Sequence, residues 1–190
     1  LTTIGSYVEI YNNPGLLNIH GLANVETISG SVTISNNNNA LFNDLFGPEA
    51  ALSTVGGTIG ITSNTNLTSL AGLEGLTTSY SIDLFAMANL NDISALGNLT
   101  IIGGYLSFGN LDGLTTLSGV SSLQTVTGSL TITGCDNLTD IGIPPVPLSV
   151  NSLNIYNNTA LSLSSVIQPW IDDLNNIVSP GSNYIANNAP

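Results

Sequence analysis

The chain has 190 residues, 12 of them Asp or Glu, with one His and no Lys or Arg, and its formal net charge is −12. Charged residues make up 6%, against about a quarter in an average globular chain. That balance excludes arginine clamps, phosphate-gripping lysines and Schiff bases, and it leaves no basic patch for nucleic acid or an anionic membrane surface.

The first residues, Leu1-Thr2-Thr3-Ile4-Gly5, hold neither the basic residues nor the apolar run of a signal peptide. The expectation is a chain from which a signal has been removed, or a piece of a longer one. No stretch approaches the roughly 18 apolar residues of a membrane span. A hydrophobic fraction of 42% suffices for the core of one domain, and the lone Cys135 provides no disulfide framework.

From Val8 onward one motif recurs: two apolar residues flanking a small or polar one. It reads Val8-Glu9-Ile10, Val32-Thr33-Ile34, Ile59-Gly60-Ile61, Ile82-Asp83-Leu84, Leu106-Ser107-Phe108, Leu130-Thr131-Ile132 and Leu153-Asn154-Ile155. The central residues lie 24, 27, 23, 24, 24 and 23 positions apart, so seven rungs are legible. Alternation of this kind predicts half-buried strands, and a fixed period predicts that they stack. Gly30, Gly57, Gly104 and Gly128 precede four of them and predict a tight turn into the strand. After each strand the apolar spacing changes to three, as in Leu16/Ile19/Leu22/Val25, Leu67/Leu70/Leu73/Leu76, Leu90/Ile93/Leu96/Leu99 and Leu114/Leu117/Val120/Leu123. So short a period-three run predicts a 3₁₀-like or irregular return arm.

Three positions past each strand's second apolar residue stands Asn13, Asn37, Asn64 or Asn158, with Cys135 in the same slot of rung six. Buried there, an asparagine bonds free backbone groups of the neighbouring turn, and stacked copies form a ladder. Met87 and Leu111 interrupt it in rungs four and five. Near the C-terminus, Ile167, Trp170/Ile171, Leu174 and Ile177/Val178 share a helical face, with Pro169 in the first turn and Ser164 or Ser165 to cap it. The expectation is a helix that covers the end of the stack, with Trp170 as its plug. Beyond Pro180-Gly181, Ile185 to Asn188 repeats the strand-to-slot spacing and predicts a degenerate eighth rung.

The strand, slot, glycine and arm pattern resembles the leucine-rich repeat, and more closely the receptor L-domain branch. The tail from Ser165 to Leu174 is similar to the terminal segment of secreted repeat proteins of gliding, Bacteroidetes-type bacteria. The resemblance implies a right-handed solenoid with one parallel β-sheet of about seven rungs, irregular return arms and a short C-terminal capping helix. Residues 1–161 would form the solenoid and residues 162–190 the cap. It further implies work outside the cell, secreted or attached to the cell surface.

Residues pointing away from the core form a Ser/Thr-rich sheet face, on which Tyr7, Glu9, Tyr11, Asp83, Phe85, Tyr105, Asn154 and Tyr156 are the candidate binding residues. At about 4.8 Å per rung the face is roughly 30 Å long. This is a surface for an extracellular protein, peptide or glycan, or for copies of the chain itself in a filament or surface layer; no cofactor is expected. Ice binding by the Ser/Thr rows is a weaker third reading, because Glu9, Asp83, Phe85 and the tyrosines interrupt them.

Catalytic chemistry is hard to find. Glu9 and Asp83 stand three rungs apart, about 14 Å, too far for paired carboxylates that work at roughly 5 to 9.5 Å. Asp112 and Asp136 occupy equivalent places in adjacent rungs and are candidates to share Ca²⁺ with Asn110 or Asn137; solvated loop carboxylates are the plainer reading. His20, at an outer corner, is expected to be solvated and to lack a carboxylate partner. Cys135 is expected to be buried and inert. Sequons occur at Asn66, Asn98, Asn137 and Asn157, of which Asn66 and Asn137 fall at one repeat position. No nucleophile elbow, dinucleotide fingerprint, P-loop or zinc-protease string is present, so the expectation is a protein that is not an enzyme.

Overall fold

The repeated triplets become strands of a parallel stack. The computed structural model describes residues 1–142, 148–162 and 184–189. Along the chain run β1 (Thr3–Ile4), β2 (Val8–Tyr11), β3 (Thr27–Ile28), β4 (Val32–Ser35), β5 (Thr54–Val55), β6 (Thr58–Thr62) and β7 (Thr78–Ser79). They continue as β8 (Ser81–Phe85), β9 (Ile101–Ile102), β10 (Leu106–Gly109), β11 (Thr125–Thr133), β12 (Ser149–Tyr156) and β13 (Tyr184–Ala186). The main sheet has the order β2-β4-β6-β8-β10-β11-β12-β13, and every pairing is parallel. The chain is therefore a parallel β-solenoid.

The register is the one the spacing predicts. Glu9, Thr33, Gly60, Asp83, Ser107, Thr131 and Asn154 are successive Cα partners. Tyr184 continues the row against Asn154 as the eighth rung.

The expectation of one sheet is corrected. A second parallel line of pairing precedes the corner: β1-β3-β5 form one ladder, and β7, β9 and the start of β11 another, which β12 extends through Ser149 and Val150. Most of these strands are two residues long, too short to show alternation, so the triplets alone do not reveal them. The turn between the two lines also has a different cause from the one expected. Gly30, Gly57, Gly104 and Gly128 are not among the residues with positive φ. They are required because the neighbouring rung comes too close: an added Cβ would lie 2.8 Å from Ser6 O at Gly30, 2.4 Å from Ser31 Oγ at Gly57, and 2.6 Å from Gly104 O at Gly128.

Left-handed backbone occurs instead just after each main strand. Asn12, Asn36, Ser63, Ala86, Asn110, Gly134, Asn157 and Asn187 all have φ between 52° and 62°, and each directly precedes the ladder slot. Asn tolerates this region better than most side chains, which accounts for five of the eight. The return arms contain the 3₁₀ turns η1 (His20–Leu22), η2 (Ser94–Leu96) and η3 (Ser118–Val120). Polar caps lead into the arms: Asn18, Ser69, Asp92, Thr116 and Asp140 each accept the backbone N–H two residues on, at 2.8 to 3.2 Å.

Strand and arm aliphatics meet in one continuous core, in which Leu67, Leu70, Leu73 and Leu76 are buried alongside Ile59, Ile61, Ile82 and Leu84. The longest rung fills its extra loop with Phe42, Leu45, Phe46 and Leu52, all buried. The expected capping helix, with Trp170, lies outside the described residues. No helix among the described residues is long and apolar enough to cross a membrane.

Candidate functional site

Alternation on β2 turns Val8 and Ile10 toward the core and leaves Glu9 and Tyr11 exposed, with Tyr7 just before the strand also in solvent. Three rungs along, Asp83 and Phe85 take the same positions on β8, and Tyr105 stands beside them at the start of rung five. Asn154 and Tyr156 occupy the same rows on β12. All eight candidate binding residues thus belong to one sheet face.

The face is not uniform. Phe85 leans toward rung five, so that its Cδ2 lies 2.6 Å from where a Cβ on Gly109 would stand; the missing side chain makes room for the ring. Gly60 is open, with only Val32 O within 4 Å of an added Cβ, at 3.9 Å. Only Thr33 and Gly60 stand between Glu9 and Asp83 in the central row, one small side chain and none. Neither of these carboxylates has a hydrogen-bond or ion-pair partner among the described residues. At the far end Tyr156 and Tyr184 meet edge to face, with ring centroids 5.5 Å apart. Tyr184 was not among the candidates, although it holds the central position of the eighth rung.

Two serines at the strand entries of rungs two and four, Ser31 and Ser81, turn their hydroxyls to the neighbouring backbone. Ser81 is fully buried, and its hydroxyl accepts the Tyr105 N–H at 3.0 Å. Ser31 likewise accepts the Thr58 N–H at 3.1 Å. Both hydroxyls close the corner that the glycines open.

Beneath the turns the asparagine ladder is continuous at each end. Asn13 and Asn37 donate their backbone N–H groups to Asn37 Oδ1 and Asn64 Oδ1, at 3.1 and 2.9 Å. At the other end Cys135 and Asn158 donate theirs to Asn158 Oδ1 and Asn188 Oδ1, at 3.0 and 3.2 Å. Met87 and Leu111 are fully buried in the gap between. Cys135 is buried too, and desolvation, opposed in part by the Leu111 backbone and reinforced by Asp112 and Asp136, pushes its thiol pKa up to about 11. Such a group is a poor nucleophile at neutral pH.

The other candidates find structural partners. Asp112 Oδ1 accepts the Asp136 N–H at 3.3 Å, and Asp136 Oδ1 accepts the Thr159 hydroxyl at 3.0 Å. Among the described residues no three His, Cys, Asp or Glu side chains are placed to hold a metal. The expectation for His20 is corrected: its Nε2 lies 2.7 Å from Asp44 Oδ1, while its ring remains partly exposed. Asp44 belongs to the extra loop of the longest rung, where the repeat alignment loses its register. The amides of Asn66, Asn98 and Asn137 each donate to a backbone carbonyl of the preceding rung, at 2.8 to 3.1 Å, so these sequon asparagines tie the rungs together.

On the return arms, a depression of about 220 Å³ is lined by Asn91, Asp92, Ile93, Ser94, Gly97, Thr116, Ser118 and Gly119. It is smaller than the roughly 300 Å³ at which ligand pockets begin. The Ser94 hydroxyl and backbone N–H hold the Asp92 carboxyl below its ordinary pKa, which fits its use as a turn cap. No protein-family model, curated protein or solved structure matches the chain.

Proposed function

We propose that the chain is a non-catalytic extracellular recognition or adhesion module of the leucine-rich-repeat, receptor L-domain-like type. One observation carries this reading: the parallel register gathers Tyr7, Tyr11, Phe85, Tyr105 and Tyr156 with Glu9, Asp83 and Asn154 on a single exposed face. Exposed aromatics among small hydroxyls supply contact area at low entropic cost, the composition of recognition surfaces. The face works as a platform, and its partner is a protein, peptide or glycan. The test is binding of immobilised extracellular peptides and glycans by the wild type and by a Tyr7→Ala, Tyr105→Ala, Tyr156→Ala variant. Loss of binding with an unchanged circular dichroism spectrum supports the reading. Binding that survives all three substitutions removes this face from it.

A further inference from the structure

We infer that the face recognises an extended basic peptide segment, lying across the strands with two Lys or Arg residues four positions apart; this rests on the recognition reading above. The chain carries no cationic side chain but His20, and its net charge is −12. Its field therefore repels polyanions and attracts cations.

The positions that would receive the two cations are defined by the register. On β2, Glu9 is flanked by Tyr7 and Tyr11, two residues to either side, so all three side chains project from one face. On β8, Asp83 has Phe85 two residues on and Tyr105 diagonally across the pairing with β10. A carboxylate between aromatic rings holds a cation by charge and by the ring faces together. Both carboxylates lack a partner of their own among the described residues.

Three rungs separate the two groups, about 14 Å at 4.8 Å per rung. In an extended peptide, residues four apart point to the same side and lie about 13 Å apart. The intervening residues would cross the small side chain of Thr33 and the backbone at Gly60, where even an added Cβ would meet only Val32 O, at 3.9 Å. The match of spacing and the small residues between the two carboxylates distinguish this site from the diffuse acidity of the rest of the surface.

The experiment titrates the protein with dye-labelled Ser/Gly peptides carrying two lysines four, three or two residues apart, and with neutral oligosaccharides as controls. The four-residue spacing should bind at least about fivefold more tightly than the others, and binding should weaken as salt rises. A Glu9→Gln, Asp83→Asn variant should lose about tenfold in affinity, and a Glu26→Gln, Glu49→Gln variant of equal charge less than threefold. Equal losses in the two variants, or indifference to spacing, would overturn the inference in favour of bulk attraction. If oligosaccharides bind, and lose binding in the Tyr7→Ala, Tyr105→Ala, Tyr156→Ala variant while basic peptides do not bind, the recognition reading stands and the basic partner is wrong.

Discussion

Asn37 donates its backbone N–H to the Oδ1 of Asn64, one rung along, at 2.9 Å. The Asn64 amide in turn donates to Ile34 O at 2.8 Å and Thr62 O at 3.1 Å. One buried side chain therefore satisfies backbone groups of two rungs. Asn64→Ala leaves the buried Asn37 N–H without its partner and takes one donor each from Ile34 O and from Thr62 O, which keeps the Asn36 N–H, at a cost of about 2 to 4 kcal/mol. Met87→Leu, in the same slot but without such bonds, should cost less than about 1.5 kcal/mol. Urea denaturation of the two variants measures the difference.

Cys135 is a test of the slot's chemistry. Its Sγ lies 3.9 Å from Phe108 O and 3.6 Å from Thr133 O, the carbonyls equivalent to those that Asn64 and Asn158 engage in their own rungs. Cys135→Asn should therefore be more stable than Cys135→Ala, by about 1 kcal/mol.

A thiol pKa raised from 9.0 to about 11 predicts native labelling by a thiolate-dependent reagent at pH 8 about a hundredfold slower than in the unfolded chain. The folded state holds the proton more tightly, so the associated stability is present below pH 9 and lost as pH rises toward 11. Wild type should lose more stability than Cys135→Ala across that window. Equal losses would show that Cys135 has no part in the alkaline loss of stability.

Ala86 has φ of 56°, a conformation that disfavours a Cβ by about 1 kcal/mol. Ala86→Gly should therefore stabilise the protein by about 0.5 to 1 kcal/mol, despite the greater freedom of glycine in the unfolded chain. Gly128→Ala acts in the opposite direction, because its Cβ would lie 2.6 Å from Gly104 O and two rungs would have to separate. A loss of more than about 1 kcal/mol is expected, read as a fall in the thermal midpoint.

The His20–Asp44 pair is short but open to solvent, with side-chain exposures of 45% and 28%. Asp44→Asn should change stability by less than about 1 kcal/mol, and the difference should shrink in high salt. A larger effect measured by thermal unfolding at pH 6 would assign the pair a part in holding the extra loop.

The main ladder was legible because its strands show alternation and its slots repeat. Val8, Val32, Ile59, Ile82, Leu106, Leu130 and Leu153 are paired in register as their spacing requires. The second ladder was not, since a pair such as Thr54–Val55 has no period to read. The residue before each slot did carry a signal in Asn12, Asn36, Asn110, Asn157 and Asn187, which marks αL backbone. Asp44 lies 24 residues from His20, one repeat length, but the longer loop around it obscures the correspondence. The candidate face followed from strand alternation alone, whereas the inward turn of Ser81 depends on a hydrogen bond that no periodicity encodes.

The interruption of the ladder at Met87 and Leu111 shows what the turns need. At these two slots no side chain bonds the turn beside it, yet Ala86 N–H still reaches Gly109 O and Asn110 N–H reaches Thr133 O, each at 2.9 Å, and β8, β10 and β11 keep their register. The main chain alone therefore holds consecutive rungs together there, and the slot is free to hold either a bonded amide or an apolar plug.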